Sequence, residues 1–304
     1  MFNLAINTGF AVNRYSEPES WVSIVGKKLG LKRVQLTADL INPVLPDKTI
    51  QSQLVRIKEA SEKYSINISS TFTGALTRVN HLAHPDKDIQ EYWIEWFKRF
   101  VDITVDLGAK SMGSHFGIFT MKDDRNKMLR MKRRKENISN WHEVALYAKQ
   151  KGIKFLTWEP MSISREQGET LNECRKLLKD VNYNSPLPFE LCLDPDHGDW
   201  SSADQKDTDP YAWLKEFAKN SPMVHLKQSK YGQGENKVFT RKLEQDDRID
   251  ATKVLSLISK GGRSEVELIL EHNFREREPE DSNVIEQLKG SADYWKEAID
   301  KFSS

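Results

Sequence analysis

The sequence predicts an α/β fold built as a single (β/α)8 barrel, and three observations carry that expectation. Eight short apolar or alternating runs are spread over 304 residues, with starts 30, 33, 43, 44, 36, 34 and 43 residues apart. Each interval has room for one strand, one amphipathic helix and two loops, which is the βα unit. The intervening segments carry helical periodicity, and no tract rich in Pro, Gly or Ser marks off a second unit. Residues 1–304 therefore read as one closed barrel in preference to an open doubly wound sheet with an added domain.

Taken in order, NLAINTGF (3–10) puts the chain into its first strand almost at once. SEPESWVSIVGKKLG offers Ser16 as a helix cap, with Pro18 tolerated in the first turn. RVQLTADL (33–40) is the second strand, and KTIQSQLVRIKEASEKY aligns Ile50, Leu54, Ile57 and Tyr64 on one helical face. INISSTFTG (66–74) leads to DIQEYWIEWFKRFVDITVDLG, where Ile89, Trp93, Trp96, Phe97, Phe100 and Leu107 recur at helical spacing. Gly108 follows as the residue that ends this helix, where positive φ costs least. AKSMGSHFG (109–117), IKFLTWEP (153–160), FELCLDPDHGDW (189–200), MVHLKQS (223–229) and VELILEHNF (266–274) complete the strands. Helices are expected around Trp141, in DPYAWLKEFAK, in ATKVLSLISKGG and in DSNVIEQLKGSADYWKEAIDKF.

Composition excludes several function classes. With 46 Lys+Arg against 45 Asp+Glu, the net charge of +1 lacks the basic surplus of a nucleic-acid or anionic-membrane binder. No apolar run approaches the ~18 residues of a membrane span. The start MFNLAINTGF has neither a basic region nor a cleavage-like site, and the two cysteines, Cys174 and Cys192, cannot form a disulfide scaffold. A cytoplasmic location is the expectation. One segment stands out as a basic insertion at about 119–136, where Lys122, Arg125, Lys127, Arg130, Lys132, Arg133, Arg134 and Lys135 crowd together. Two readings stand for it: a solvated helical face, or a loop over the barrel mouth that attracts a substrate phosphate.

Active sites in such barrels sit at the C-terminal ends of the strands. There, strand five ends in Glu159, strand six in Asp194 and His197, strand seven carries His225 and strand eight ends in Glu271. Two Glu, one Asp and one His make a mixed oxygen and nitrogen site suited to Mn²⁺, Mg²⁺ or Co²⁺, with Mn²⁺ preferred. Cys192 shares the inward parity of Asp194 but lies deeper, so it reads as core packing. Lys227 has the parity of His225. It either faces the barrel mouth, to bind a substrate oxygen or phosphate, or pairs with Glu190 or Glu267. His115 either contacts substrate or is a satisfied, partly buried histidine, and Asn7 and Arg78 are further lining candidates. Trp158 points to the helix layer; Trp200 either walls the pocket or anchors its loop.

These residues, in this order, resemble the sugar phosphate isomerase/epimerase family, the xylose isomerase-like TIM barrels that include ketose 3-epimerases, inosose dehydratases and endonuclease IV. The family pattern is Glu ending strand five, Asp-x-x-His after strand six, His on strand seven and Glu ending strand eight. Here it reads Glu159, Asp194 with His197, His225 and Glu271, supported by RVNHLAHPD (78–86) and LGAKSMGSHFG. The resemblance implies a divalent metal held by Glu159, Asp194, His225 and Glu271, with His197 binding a substrate oxygen. It implies Glu159 and Glu271 as the catalytic pair, exchanging protons with the carbon beside a ketone through an enediolate. The implied activity is isomerase or epimerase on a small ketose or ketose phosphate, of which a tetrulose phosphate is one. A dehydratase on the same barrel is the alternative, ahead of a phosphodiesterase or a non-catalytic sugar-binding barrel. A homo-oligomer is compatible with the pairing of related barrels.

Two departures qualify the match. Gln35 stands where family members often carry an acid on strand two, which puts a substrate-binding role for that strand in doubt. The nuclease branch adds a histidine after strand three and an Asp-x-His pair after strand seven, and neither TFTGALTR nor LKQSKYGQGENK supplies them.

Overall fold

The computed structural model describes residues 1–231, 233–240 and 244–303, with 233–236 described by backbone alone. Eight parallel strands close on themselves: β1 (Phe2–Asn7), β2 (Arg33–Thr37), β3 (Asn67–Phe72), β4 (Ser111–His115), β5 (Phe155–Glu159), β6 (Phe189–Leu193), β7 (Met223–Leu226) and β10 (Val266–Leu270). The order around the barrel is β1-β10-β7-β6-β5-β4-β3-β2, so the last strand pairs with the first and no edge is left open. This is a (β/α)8 TIM barrel.

Two cores result from the alternation of side chains along each strand. Ala5, Phe72, Cys192, Met223 and Ile269 fill the barrel interior, so Cys192 is core packing. The outward parity, Trp158 included, meets the helix layer in a much larger apolar cluster. Helices α1 (Pro18–Ser23), α2 (Asp47–Tyr64), α3 (Lys87–Asp106), α4 (Met121–Arg125), α5 (Lys127–Gln150), α6 (Leu171–Asn182), α7 (Pro210–Phe217), α8 (Ala251–Lys260) and α9 (Glu280–Ser303) make that layer. Among the described residues, no helix is long and apolar enough to cross a membrane.

Three details differ from the pattern read off the sequence. Ser16 does not cap α1: Glu17 occupies the cap position, without a side-chain bond. Helix α6, between β5 and β6, was not anticipated; it starts at Thr170, whose hydroxyl accepts from the Glu173 amide. The seventh run breaks at Lys227, and β8 (Gln228–Lys230) leaves the barrel to pair antiparallel with β9 (Gln233–Lys237). The basic segment is helical, in keeping with one of its two readings, and is split between α4 and the first turns of α5.

Candidate active site

A cavity of about 470 Å³ opens at the C-terminal ends of the strands. Asn7, Arg78, His115, Glu159, His197, Lys227 and Glu271 all line it. Asp194 and His225 lie beneath its wall and are inaccessible to solvent or nearly so. Parallel register explains the convergence, because His115 is level with Glu159 and Asn7 with Gln35.

The predicted metal ligands form two overlapping groups that share Glu159: Glu159, His225 and Glu271, and Glu159, Asp194 and His197. Each group has its ligand atoms within 4.8 Å of one another. His197, expected to bind substrate, falls in the second group, with both of its ring nitrogens held by protein partners. His225 Nδ1 sits 3.1 Å from Glu159 Oε1 and 3.2 Å from Glu271 Oε2. Burial opposes charge on this imidazole, but Cys192, Glu271 and Glu159 outweigh it and hold its pKa well above the usual histidine range.

Lys227 faces this cluster, and the alternative partners are occupied elsewhere: Arg263 holds Glu190, and Ser69 with Arg33 holds Glu267. Lys227 Nζ lies 2.6 Å from Asp194 Oδ2 and 2.9 Å from His197 Nε2. His197 Nδ1 donates to the Pro160 carbonyl at 3.0 Å, which leaves Nε2 to accept from the lysine. Burial raises the cost of charge on Asp194, yet His197 and Lys227 overcome it and lower its pKa to about 2. Burial likewise opposes the lysine charge, and Asp194, Glu271 and Glu159 reverse that effect.

His115 belongs to a different network. The Leu82 amide donates to His81 Nδ1 at 2.7 Å, so His81 Nε2 carries the proton directed to His115 Nδ1 at 3.3 Å. His115 Nε2 then donates to the Thr77 carbonyl at 2.8 Å. Both ring nitrogens are therefore engaged by protein, and the satisfied-histidine reading holds; only the ring face remains for a ligand. Burial lowers the His115 pKa to about 4 and holds that of His81 well below the usual histidine range. The turn carried by Thr77 presents Arg78, whose Nε and one terminal nitrogen hold Glu166 at 2.6 and 2.9 Å. Arg78 remains 55% exposed while Glu166 is 2% exposed, so the rest of the guanidinium is free to meet a ligand.

The basic segment stays away from the cavity. Arg130 pairs with Asp124 and Glu169, Arg133 with Asp123 and Glu136, and Arg134 with Glu173 and Asp180. None of its eight cations lines the pocket, which argues against the phosphate-attracting loop; Lys122, Arg125, Lys127, Lys132 and Lys135 are exposed on a helical face, while Arg130, Arg133 and Arg134 are drawn into these ion pairs and largely covered. Trp200 anchors its loop: the Arg248 guanidinium stacks 4.7 Å from its ring and bonds Asp196 at 2.5 Å.

The model of the xylose isomerase-like TIM barrel family matches residues 25–301. The chain belongs to this family. Among its xylose isomerase-like relatives, a D-erythrulose 1-phosphate 3-epimerase of Brucella abortus (strain 2308) is 40% identical over 298 residues, covering 98% of this chain and 96% of that protein. A putative xylose isomerase from Rhodospirillum rubrum ATCC 11170 superposes with a TM-score of 0.85 at 24% identity, over 98% of this chain and 99% of that one. D-Psicose 3-epimerase from Clostridium cellulolyticum H10 superposes with a TM-score of 0.67 at 15% identity, over 98% and 97% of the two chains. At these identities both solved structures speak to the fold of the family.

Of the residues at the cavity, Asp39 is not singled out by the sequence, and Gln35 enters there only as a departure from the acid expected on strand two. Asp39, just after β2, lines the cavity with its carboxylate near the Leu76 amide at 3.4 Å. Gln35 is buried below the cavity against His225. Inward parity on β2 was the available signal for Gln35; Asp39 lies past the strand end, where parity no longer reports direction.

Proposed function

We propose that this chain is a divalent-metal-dependent 3-epimerase of a short ketose 1-phosphate, with D-erythrulose 1-phosphate and its C3 epimer as the substrate pair. The observation that carries the reading is the convergence of two carboxylates, Glu159 and Glu271, on one imidazole nitrogen, 3.1 and 3.2 Å away. They come from strands separated in the barrel by β6 and β7, so they approach the site from two directions. The name of the 40% identical relative supports the substrate.

The donor set of carboxylates and imidazole fits a hard or borderline divalent ion, Mn²⁺ before Mg²⁺ or Co²⁺. Glu159, His225 and Glu271, with Asp194, would hold it, and when bound it polarises the ketone and acidifies the neighbouring C–H. Glu159 takes the C3 proton from one face and Glu271 returns a proton to the other, or the reverse for the opposite epimer. One C–H bond breaks, one forms with inverted configuration, and there is no net redox change. Lys227, braced by Asp194 and His197, directs its remaining N–H at the negative charge that develops on the C2 oxygen. Arg78 offers its unused N–H groups to the phosphate. We place the enzyme in the cytoplasm.

Incubation of D-erythrulose 1-phosphate with the Mn²⁺-loaded protein in D₂O tests the reading. Deuterium at C3 and a mixture of the two epimers are expected. No exchange with any ketose or ketose phosphate would remove the proposal, and a product lighter by one water would make the protein a lyase.

A further inference from the structure

We propose that Gln35 is the positioning residue that presents His225 Nδ1 to the metal site. The inference rests on the metal-site reading above but not on the identity of the sugar.

A chain of hydrogen bonds fixes the arrangement, starting from a backbone amide whose role cannot change. The Gly9 N–H donates to Asn7 Oδ1 at 2.8 Å, so the Asn7 amide turns its NH₂ towards Gln35. Asn7 Nδ2 donates to Gln35 Oε1 at 2.8 Å, which identifies the oxygen of the Gln35 amide. That same oxygen lies 2.8 Å from His225 Nε2 and can only accept from it. The Gln35 NH₂ is left facing Cys192 Sγ and Met223 Sδ, each at 3.9 Å, soft and undemanding acceptors. A flipped amide would set NH₂ against NH₂ at Asn7 and a second donor against His225.

Gln35 and His225 are both fully buried, so no water competes for these bonds. Leaving the bond to a buried ring nitrogen unmade is costly, which holds the ring in place. With Nε2 committed to strand β2, Nδ1 is the nitrogen left beside Glu159 and Glu271. Outer-shell partners that fix a ligand histidine in this way govern metal affinity. Strand two therefore contributes through the orientation of a ligand on strand seven, not through an acid of its own.

Calorimetric titration of the metal-free protein with Mn²⁺, in the absence of substrate, tests this with three proteins. Gln35→Met removes the acceptor at similar volume and should weaken Mn²⁺ binding about 10- to 100-fold. Gln35→Glu keeps an acceptor for His225 Nε2 and should stay within a few-fold of wild type. Equal affinities for wild type and Gln35→Met would overturn the inference, as would equal weakening in both variants. If Gln35→Met fails to fold, the imidazole nitrogen resonances of wild-type protein loaded with diamagnetic Mg²⁺ decide the matter. A proton on Nε2 supports the inference, and a proton on Nδ1 overturns it. Absence of divalent binding by the wild type would instead sink the metal-site reading, and absence of ketose exchange with metal binding intact would sink only the substrate.

Discussion

At the scale of single residues, the site depends on charges that are buried and therefore compensated in specific pairs. Lys227 and Asp194 are the clearest pair, 2.6 Å apart and largely out of solvent. Breaking a buried pair from one side leaves an uncompensated charge, which is far worse than the net value of the pair. Lys227→Met should lower kcat/KM by about 100-fold or more, the scale of a lost oxyanion donor. Steady-state kinetics retaining more than a tenth of wild-type kcat/KM would exclude the lysine from the reaction. The two glutamates allow a sharper comparison. Glu159→Gln and Glu271→Gln should each reduce epimerisation by about 10² to 10⁴. Each variant should still exchange the C3 proton of only one epimer with D₂O, and not the same epimer. Residual exchange of both epimers by either variant would rule out the two-carboxylate division of labour. These residues were legible in the sequence because each follows an apolar run of fixed parity. What parity could not report was which charge meets which: Lys227 with Asp194, and Arg78 with Glu166, depend on loops packed from distant parts of the chain.

At the scale of elements, the segment after β3 and the loop after β6 hold the site in shape. His81 and His115 are neutral in the fold, with pKa values displaced below 6.5 by burial. The unfolded chain binds their protons first, so their contribution is complete above pH 6.5 and is lost as pH falls towards the folded value of about 4 for His115. Each histidine should steepen the fall by up to about 1.4 kcal/mol per pH unit in that window. Urea unfolding at pH 7, 6 and 5 should show a shallower slope for His115→Gln than for wild type, and identical slopes would exclude the relay as a source of acid sensitivity. In the loop after β6, Gly198 has φ +134°, and a Cβ there would run into the Asp207 carbonyl oxygen. Gly198→Ala should cost at least about 1 kcal/mol and displace Asp194 and His197, seen as reduced stability together with weakened metal binding. Element boundaries were partly legible. Helix α6 has its apolar period in Leu171, Cys174, Leu177 and Val181, yet it is short and interrupted by charge. The break at Lys227 was hidden because alternation from His225 through Lys227 to Ser229 continues across it.

At the scale of the whole molecule, the barrel is closed by sequence-distant contacts. The Val266 amide donates to the Met1 carbonyl, and β10 pairs along β1. The eightfold spacing makes this closure legible in the sequence, since only a closed sheet leaves eight such strands without an edge. A metal that binds only the closed state should stabilise it by mass action, about 2.7 kcal/mol at a concentration of 100 Kd. Chelation should therefore abolish activity and lower Tm by several degrees, with recovery on Mn²⁺ addition; an unchanged Tm and full activity after chelation would remove the metal from the enzyme.

The pairing of Arg130, Arg133 and Arg134 with carboxylates on the outer helices also shapes how a substrate arrives. Their fields cancel within a few ångströms, and the whole chain carries a net charge of only +1. The anionic sugar proposed as substrate would thus approach by unsteered diffusion and feel Arg78 and Lys227 only on contact. Encounter rates should then be nearly flat in ionic strength, in contrast to an electrostatically focused enzyme. A kcat/KM that changes by less than about threefold between 10 and 200 mM salt is the expected signature.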